Sequence, residues 1–95
     1  MSKKEAYQQK VEAQLDEWKA DIDKLKSKAD QANASAQVEY YEQIEQLKAK
    51  REAVSTKFEE LRNSSDDAWE DVKSGLDQAK ESLSEAMDSA SKRFK

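Results

Sequence analysis

An apolar stripe runs along one face of the first part of the chain, between residues 11 and 25. Its large apolar residues follow one another at steps of 4, 3, 4 and 3 positions, and they are Val11, Leu15, Trp18, Ile22 and Leu25. Steps of three and four positions place side chains on the same face of an α-helix. A narrow apolar face on an otherwise polar helix predicts that this helix packs against another helix.

The composition favours long helices throughout the chain. The 95 residues include no proline and one glycine, Gly75, and 40% of them are charged. Compact α/β domains depend on glycine and proline for their turns, whereas Ala, Glu, Lys, Gln and Leu are good helix formers. We therefore predict a single all-α domain over residues 1–95.

The stripe continues in phase beyond Leu25, first through small residues. Ala29, Ala32, Ala36 and Tyr40 follow at steps of 4, 3, 4 and 4 positions. Alanine is the best helix former, and no glycine or proline interrupts this segment. We predict one continuous helix from about residue 3 to 62. The alternative is a turn in which Asn33 ends one helix and Ser35 caps the next.

A turn is predicted at about residues 63–66, where Asn63 is suited to ending a helix and Ser64, Ser65 and Asp66 to starting one. The following helix, from about residue 66 to 94, carries a second stripe that includes Trp69, Val72, Leu76 and Leu83. Acidic residues at its start and basic residues at its end suit the helix dipole.

The helix lengths predict a long antiparallel helical hairpin, or coiled coil, that forms an oligomer. A helix over residues 3–62 would be roughly 90 Å long, about twice the length of the last helix. The last helix would then cover only the second half of the first, with packing near the turn by Phe58, Leu61, Trp69, Val72 and Leu76.

The stripe of the first half would remain uncovered, and an uncovered stripe needs a second chain. We therefore predict a homo-oligomer, most simply a dimer, whose self-association residues are Val11, Leu15, Trp18, Ile22 and Leu25. The alternative architecture uses both turns and gives a monomeric three-helix bundle of the spectrin type.

The sequence predicts no catalytic, cofactor-binding or metal-binding residues. It has neither histidine nor cysteine, which excludes the usual zinc sites, and it has no glycine-rich phosphate loop. Neighbouring carboxylates such as Asp16 and Glu17 point to different sides of a helix.

The net charge is −4, and no basic stripe suggests a nucleic-acid partner. No apolar run is long enough to span a bilayer, so we expect a cytoplasmic protein.

Three segments resemble a group of short bacterial coiled-coil proteins described as hypothetical or stress-response proteins. They are LDEWKADIDKLKSKA (residues 15–29), YEQIEQLKAKREA (residues 41–53) and SDDAWEDVKSGLDQAKESL (residues 65–83), and the most specific part is residues 68–75. The resemblance covers nearly the whole chain. It implies an intracellular role in stress response and supplies no catalytic residues.

These observations predict a non-enzymatic structural or interaction protein that self-associates. Two alternatives use the same amphipathic helices. One is a protein that coats lipid or another apolar surface, as exchangeable apolipoproteins and phasins do, although the last helix is acidic where such helices are usually basic. The other is a holdase-like chaperone hairpin that captures unfolded proteins.

Overall fold

The computed structural model describes residues 2–94 and contains three helices: α1 (Lys3–Asp30), α2 (Ala34–Arg62) and α3 (Trp69–Arg93). Side-chain contacts join Leu15 to Arg51 and Tyr40 to Phe94, so that α2 runs antiparallel to both α1 and α3. The bundle measures 51 × 19 × 18 Å. The predicted all-α class is confirmed; positions 1 and 95 of the predicted domain lie outside the described residues.

The prediction of a continuous helix over residues 3–62 is wrong, because the chain turns at residues 31–33. Asn33 is the N-cap of α2, and its side-chain oxygen accepts a hydrogen bond from the backbone N–H of Ala36 at 3.0 Å. The cap is therefore Asn33, not Ser35. The alternative architecture, a three-helix bundle, is the one observed.

The chain turns at residues 31–33 instead of continuing as one helix because the turn allows α2 and α3 to cover the apolar stripe of α1. Helix propensity differs by less than about 0.7 kcal/mol per residue among ordinary residues. Burying one large aliphatic side chain contributes about 1.5–3 kcal/mol. Val11, Ile22 and Leu25 are each at most 5% exposed in the bundle. Their burial outweighs the preference of three turn residues for a continuous helix.

The second turn is longer than predicted, and α3 begins at Trp69 instead of residue 66. The carbonyl oxygen of Ser65 accepts hydrogen bonds from the backbone N–H groups of Ala68 and Trp69, both at 3.1 Å. The first of these bonds closes a tight turn over residues 65–68, which delays the helix. Asn63 ends α2 with a right-handed backbone conformation.

One apolar core runs along the bundle and draws on all three helices. Among the described residues it contains no buried polar or charged side chain. Its fully enclosed members include Val11 of α1, Val54 and Leu61 of α2, and Leu76 and Leu83 of α3. The core therefore consists of the apolar stripes that the sequence displays.

Candidate interaction surfaces

The residues predicted to form a dimer contact lie mostly inside the bundle. Val11, Leu15, Ile22 and Leu25 are buried, and Trp18 is half-buried against the core. We expected this stripe to need a second chain because it would otherwise be exposed to solvent. In the structure, the other two helices of the same chain cover it. Self-association remains a prediction, and contact through this stripe would require the bundle to open.

The residues predicted to pack near the second turn lie at one end of the bundle. Phe58, Leu61 and Leu76 are buried, while Trp69 and Val72 are partly buried against the core. The ring of Trp69 also lies beside the ring of Tyr7, with centroids 6.3 Å apart. This end of the bundle thus joins α1 to α3 as well as α2 to α3.

Tyr7 forms the centre of an aromatic and charged cluster between α1 and α3. Two ammonium groups lie near its ring, with Lys73 Nζ at 5.2 Å and Lys80 Nζ at 5.1 Å from the centroid. Its hydroxyl donates a hydrogen bond to the carboxylate of Asp77, which also accepts one from Lys73 Nζ at 3.1 Å. Ammonium groups at such distances are attracted to the aromatic face.

Three members of this cluster, Tyr7, Asp77 and Lys80, have shifted pKa values. Burial and the hydrogen bond to Asp77 raise the pKa of the Tyr7 hydroxyl far above its ordinary value of 10.0. Burial acts to raise the pKa of Asp77, but the hydrogen bonds from Tyr7 and Lys73 hold that pKa below 3.8. Burial lowers the pKa of Lys80. The Tyr7 hydroxyl therefore keeps its proton at neutral pH and remains a hydrogen-bond donor to Asp77, so the cluster is suited to holding α1 against α3.

A second polar cluster closes the first turn. The Tyr41 hydroxyl donates a hydrogen bond to the carboxylate of Asp30, and Gln37 Nε2 donates one to the carbonyl oxygen of Asp30 at 3.2 Å. The hydrogen bond to Asp30 raises the pKa of Tyr41. Together with the cap at Asn33, these contacts hold the end of α1 against the start of α2.

The large hydrophobic residues that the described surface exposes are Val38 and Tyr41, which are 63% and 39% exposed. Both lie in the first two turns of α2, outside the core. Single exposed apolar side chains are common on protein surfaces, so these two residues do not indicate a binding site.

An open groove of about 460 Å³ lies where the first turn meets the end of α3. Its walls include Ala32, Asn33 and Ala36 from the turn region, together with the stacked rings of Tyr40 and Phe94, whose centroids are 4.1 Å apart. The small alanine side chains leave this space unfilled. The groove is open to solvent, although Phe94 in its wall is itself buried.

Within residues 2–94, no group of three or more Asp or Glu side chains is placed to hold a metal ion. In the same part of the chain, none of the helices has the length and apolarity needed to cross a membrane.

The hydrogen bonds from Tyr7 to Asp77 and from Tyr41 to Asp30 were not predicted. Tyr7 precedes Val11 by four positions and therefore extends the stripe of α1, which is the signal that would have brought it into the bundle. The contact of Tyr41 with Asp30 could not be predicted from a continuous helix. In such a helix, residues 30 and 41 would lie roughly 16 Å apart along the axis.

Comparison with known proteins adds no relative: no family model, no curated protein and no solved structure matches the chain.

Proposed function

We propose that the protein is a non-enzymatic, self-associating helical protein with a structural or interaction role. The observation that supports this proposal most is the composition of the core. It draws the large apolar residues of all three helices into one cluster, and no polar or charged side chain is buried with them within residues 2–94. Helix pairing needs such stripes, whereas catalytic groups need a pocket that shifts their pKa values.

A cytoplasmic location and a role in bacterial stress response belong to the same proposal. Both are supported by the resemblance to short bacterial coiled-coil proteins described above. The self-association is supported by the open groove at the first turn, which Ala32 and Ala36 line.

Sedimentation equilibrium over a concentration series tests the self-association. The apparent mass should rise from 10.9 kDa towards twice that value as concentration increases, while circular dichroism stays fully helical. A mass that remains at 10.9 kDa at every concentration would contradict the proposal.

The two alternative functions predict different behaviour in the presence of an apolar surface. A lipid-coating protein would float with neutral phosphatidylcholine vesicles and shift the emission of Trp18 and Trp69 to the blue. A holdase would reduce the light scattering of an aggregating unfolded protein. We expect neither effect, because the apolar faces of the helices are used inside the bundle.

A further inference from the structure

The backbone angles of the first turn show what would have to change for α1 and α2 to form one helix. Gln31 is right-handed, with φ −92° and ψ −6°, but it departs from the helical φ of about −63° and ψ of about −42°. Asn33 has φ −69° and departs from the helix in ψ, which is 164° instead of about −42°. No residue between 2 and 94 has a positive φ. Joining α1 and α2 therefore needs a large rotation in ψ at Asn33 and a smaller adjustment at Gln31, with no described residue leaving a left-handed conformation.

The apolar stripe would remain in phase across the joined helices. Leu25, Ala29, Ala32, Ala36 and Tyr40 are separated by steps of 4, 3, 4 and 4 positions. The sequence thus supports a straight helix through the turn as well as the turn itself. The second turn differs, because six residues separate α2 from α3 and the bonds of Ser65 fold them tightly.

The register of α1 against α2 is symmetric about the first turn. Arg51 Nε donates a hydrogen bond to the carbonyl oxygen of Leu15 at 3.3 Å, and these two residues lie equally far along the sequence from Asn33. Two joined helices from separate chains could therefore pack antiparallel in the same register, with a two-fold axis at Asn33. Ala29, Ala32 and Ala36 would lie near that axis, where small side chains allow helices to approach closely.

We propose that the protein dimerises by opening at Asn33 and exchanging α1 between two copies of the chain. This inference rests on the proposed self-association and names its partner, a second copy, and its mechanism. In the dimer, α1 of one chain packs on α2 and α3 of the other, so each bundle keeps the core contacts seen here. Such exchange is an accessible route to dimers because it reuses existing contacts.

The opening removes only contacts at the turn. The cap of Asn33 and the bonds of Gln37 and Tyr41 to Asp30 are lost, and helical hydrogen bonds replace them. All three lost bonds are on the exposed surface. The balance between closed monomer and exchanged dimer therefore depends on protein concentration and on the residues of the turn.

Two substitutions at the turn should move this balance in opposite directions. Ala34→Pro places proline at the first position of α2, where proline is favoured, and the extended ψ of Asn33 suits a residue before proline. In a joined helix the same proline would be in the interior, so the dimer should weaken by more than about 100-fold. Asn33→Ala removes the cap of the closed form and should strengthen the dimer by about 25-fold, or about five-fold for each of two chains.

The matched control for Asn33→Ala is Ser2→Ala. Ser2 is the N-cap of α1 and accepts a hydrogen bond from the N–H of Glu5 at 3.1 Å. The loss of this cap affects the closed monomer and the exchanged dimer equally, so the dimer fraction of Ser2→Ala should match that of the wild type. Val38→Ser is a second control, since a dimer formed through the exposed patch would lose affinity and an exchanged dimer would not.

The experiment refolds wild type and variants from denaturant at high protein concentration and measures the dimer fraction by size exclusion with light scattering. We expect a larger dimer fraction than the wild type for Asn33→Ala and a smaller one for Ala34→Pro. The dimer fractions of the two controls, Ser2→Ala and Val38→Ser, should equal that of the wild type. If the wild type dimerises and Ala34→Pro dimerises equally well, the exchange is wrong but self-association stands. If wild type and Asn33→Ala are monomeric at every concentration, both proposals fail.

A second measurement does not depend on how the variants fold. In a dimer mixed from ¹³C-labelled and unlabelled chains, isotope-filtered NMR should detect contacts between the rings of Tyr7 and Trp69 on different chains. These rings are neighbours in the closed bundle, with centroids 6.3 Å apart. If the filtered spectrum of the dimer lacks the contact, α1 has stayed within its own chain and the exchange is overturned.

Discussion

Arg51 of α2 donates a hydrogen bond from Nε to the backbone carbonyl oxygen of Leu15 in α1, at 3.3 Å. Arg51 lies between Leu47 and Val54 on the core-facing side of α2 and is half-buried. The carbonyl oxygen of a helix has a second lone pair that can accept this bond. A charged residue thus occupies a position of the apolar stripe and fixes the register of α1 against α2.

Arg51→Ala should lower the free energy of unfolding by about 1 kcal/mol, because it removes both the packing of the aliphatic stem and the hydrogen bond. The control is Lys48→Ala, which removes an exposed ion pair with Glu45 and should change stability by less than about 0.5 kcal/mol. Urea unfolding followed by circular dichroism measures both. Equal effects of the two substitutions would mean that Arg51 behaves as an ordinary surface residue.

Leu83→Ala should lower the free energy of unfolding by about 2–5 kcal/mol. Leu83 is fully enclosed, at 0% exposure, and truncating such a residue loses apolar burial and leaves a cavity. Its neighbour Ser84 is exposed, so Ser84→Ala should stay within about 0.5 kcal/mol of the wild type. A loss below about 1 kcal/mol for Leu83→Ala, in urea unfolding, would place Leu83 outside the core.

The Tyr7–Asp77 contact should make stability depend on pH at both extremes. The pKa of Tyr7 is raised in the folded state, so its contribution is present below pH 10.0 and is lost as the pH rises further. The pKa of Asp77 is lowered from 3.8, so its contribution is present above that value and is lost as the pH falls. The stability difference between wild type and Tyr7→Phe should therefore narrow in alkali and in acid.

Thermal unfolding across the pH range measures this difference, and absorbance at 295 nm follows tyrosine ionisation. Tyr7→Phe should remove the step at highest pH from the absorbance titration. If Tyr7→Phe instead removed absorbance that develops near pH 10, Tyr7 would not be held by Asp77.

A chain that ends at Arg62 should lose the cooperative unfolding of the full protein. The missing segment contributes Leu76, Leu83, Met87 and Phe94 to the core, and without them α1 and α2 would expose the faces that α3 covers. Circular dichroism during heating tests this expectation. Full thermal stability of residues 1–62 would mean that α3 does not pack against the other helices.

The apolar stripes predicted much of this architecture because helix periodicity is local. Phe58, Leu61 and Leu76 were expected to pack together and are all buried. The first turn was not expected, because alanine-rich residues 29–37 prefer a helix and only the burial of the Val11–Leu25 stripe by α2 and α3 favours a turn. The helix preference of residues 29–37 can be read from the sequence directly. The burial of the stripe depends on how three helices pack together, which the sequence does not display.

The polar contacts were harder to predict for the same reason. The hydrogen bond from Tyr7 to Asp77 joins residues 70 positions apart, and it requires the alignment of α1 with α3. The start of α3 at Trp69 depends on the fold of the preceding loop, where Ser64, Ser65 and Asp66 all had suitable capping side chains. Several equivalent local signals cannot select one starting residue.

Small-angle X-ray scattering of separated monomer and dimer fractions tests the central claim most directly. The monomer should be compact, with a length near the 51 Å of the bundle and a radius of gyration near 15.3 Å for its Cα atoms. The exchanged dimer should be a rod of roughly 100 Å, because joined helices of about 90 Å run through both bundles. A dimer no longer than the monomer would show two closed bundles side by side and would contradict opening at Asn33.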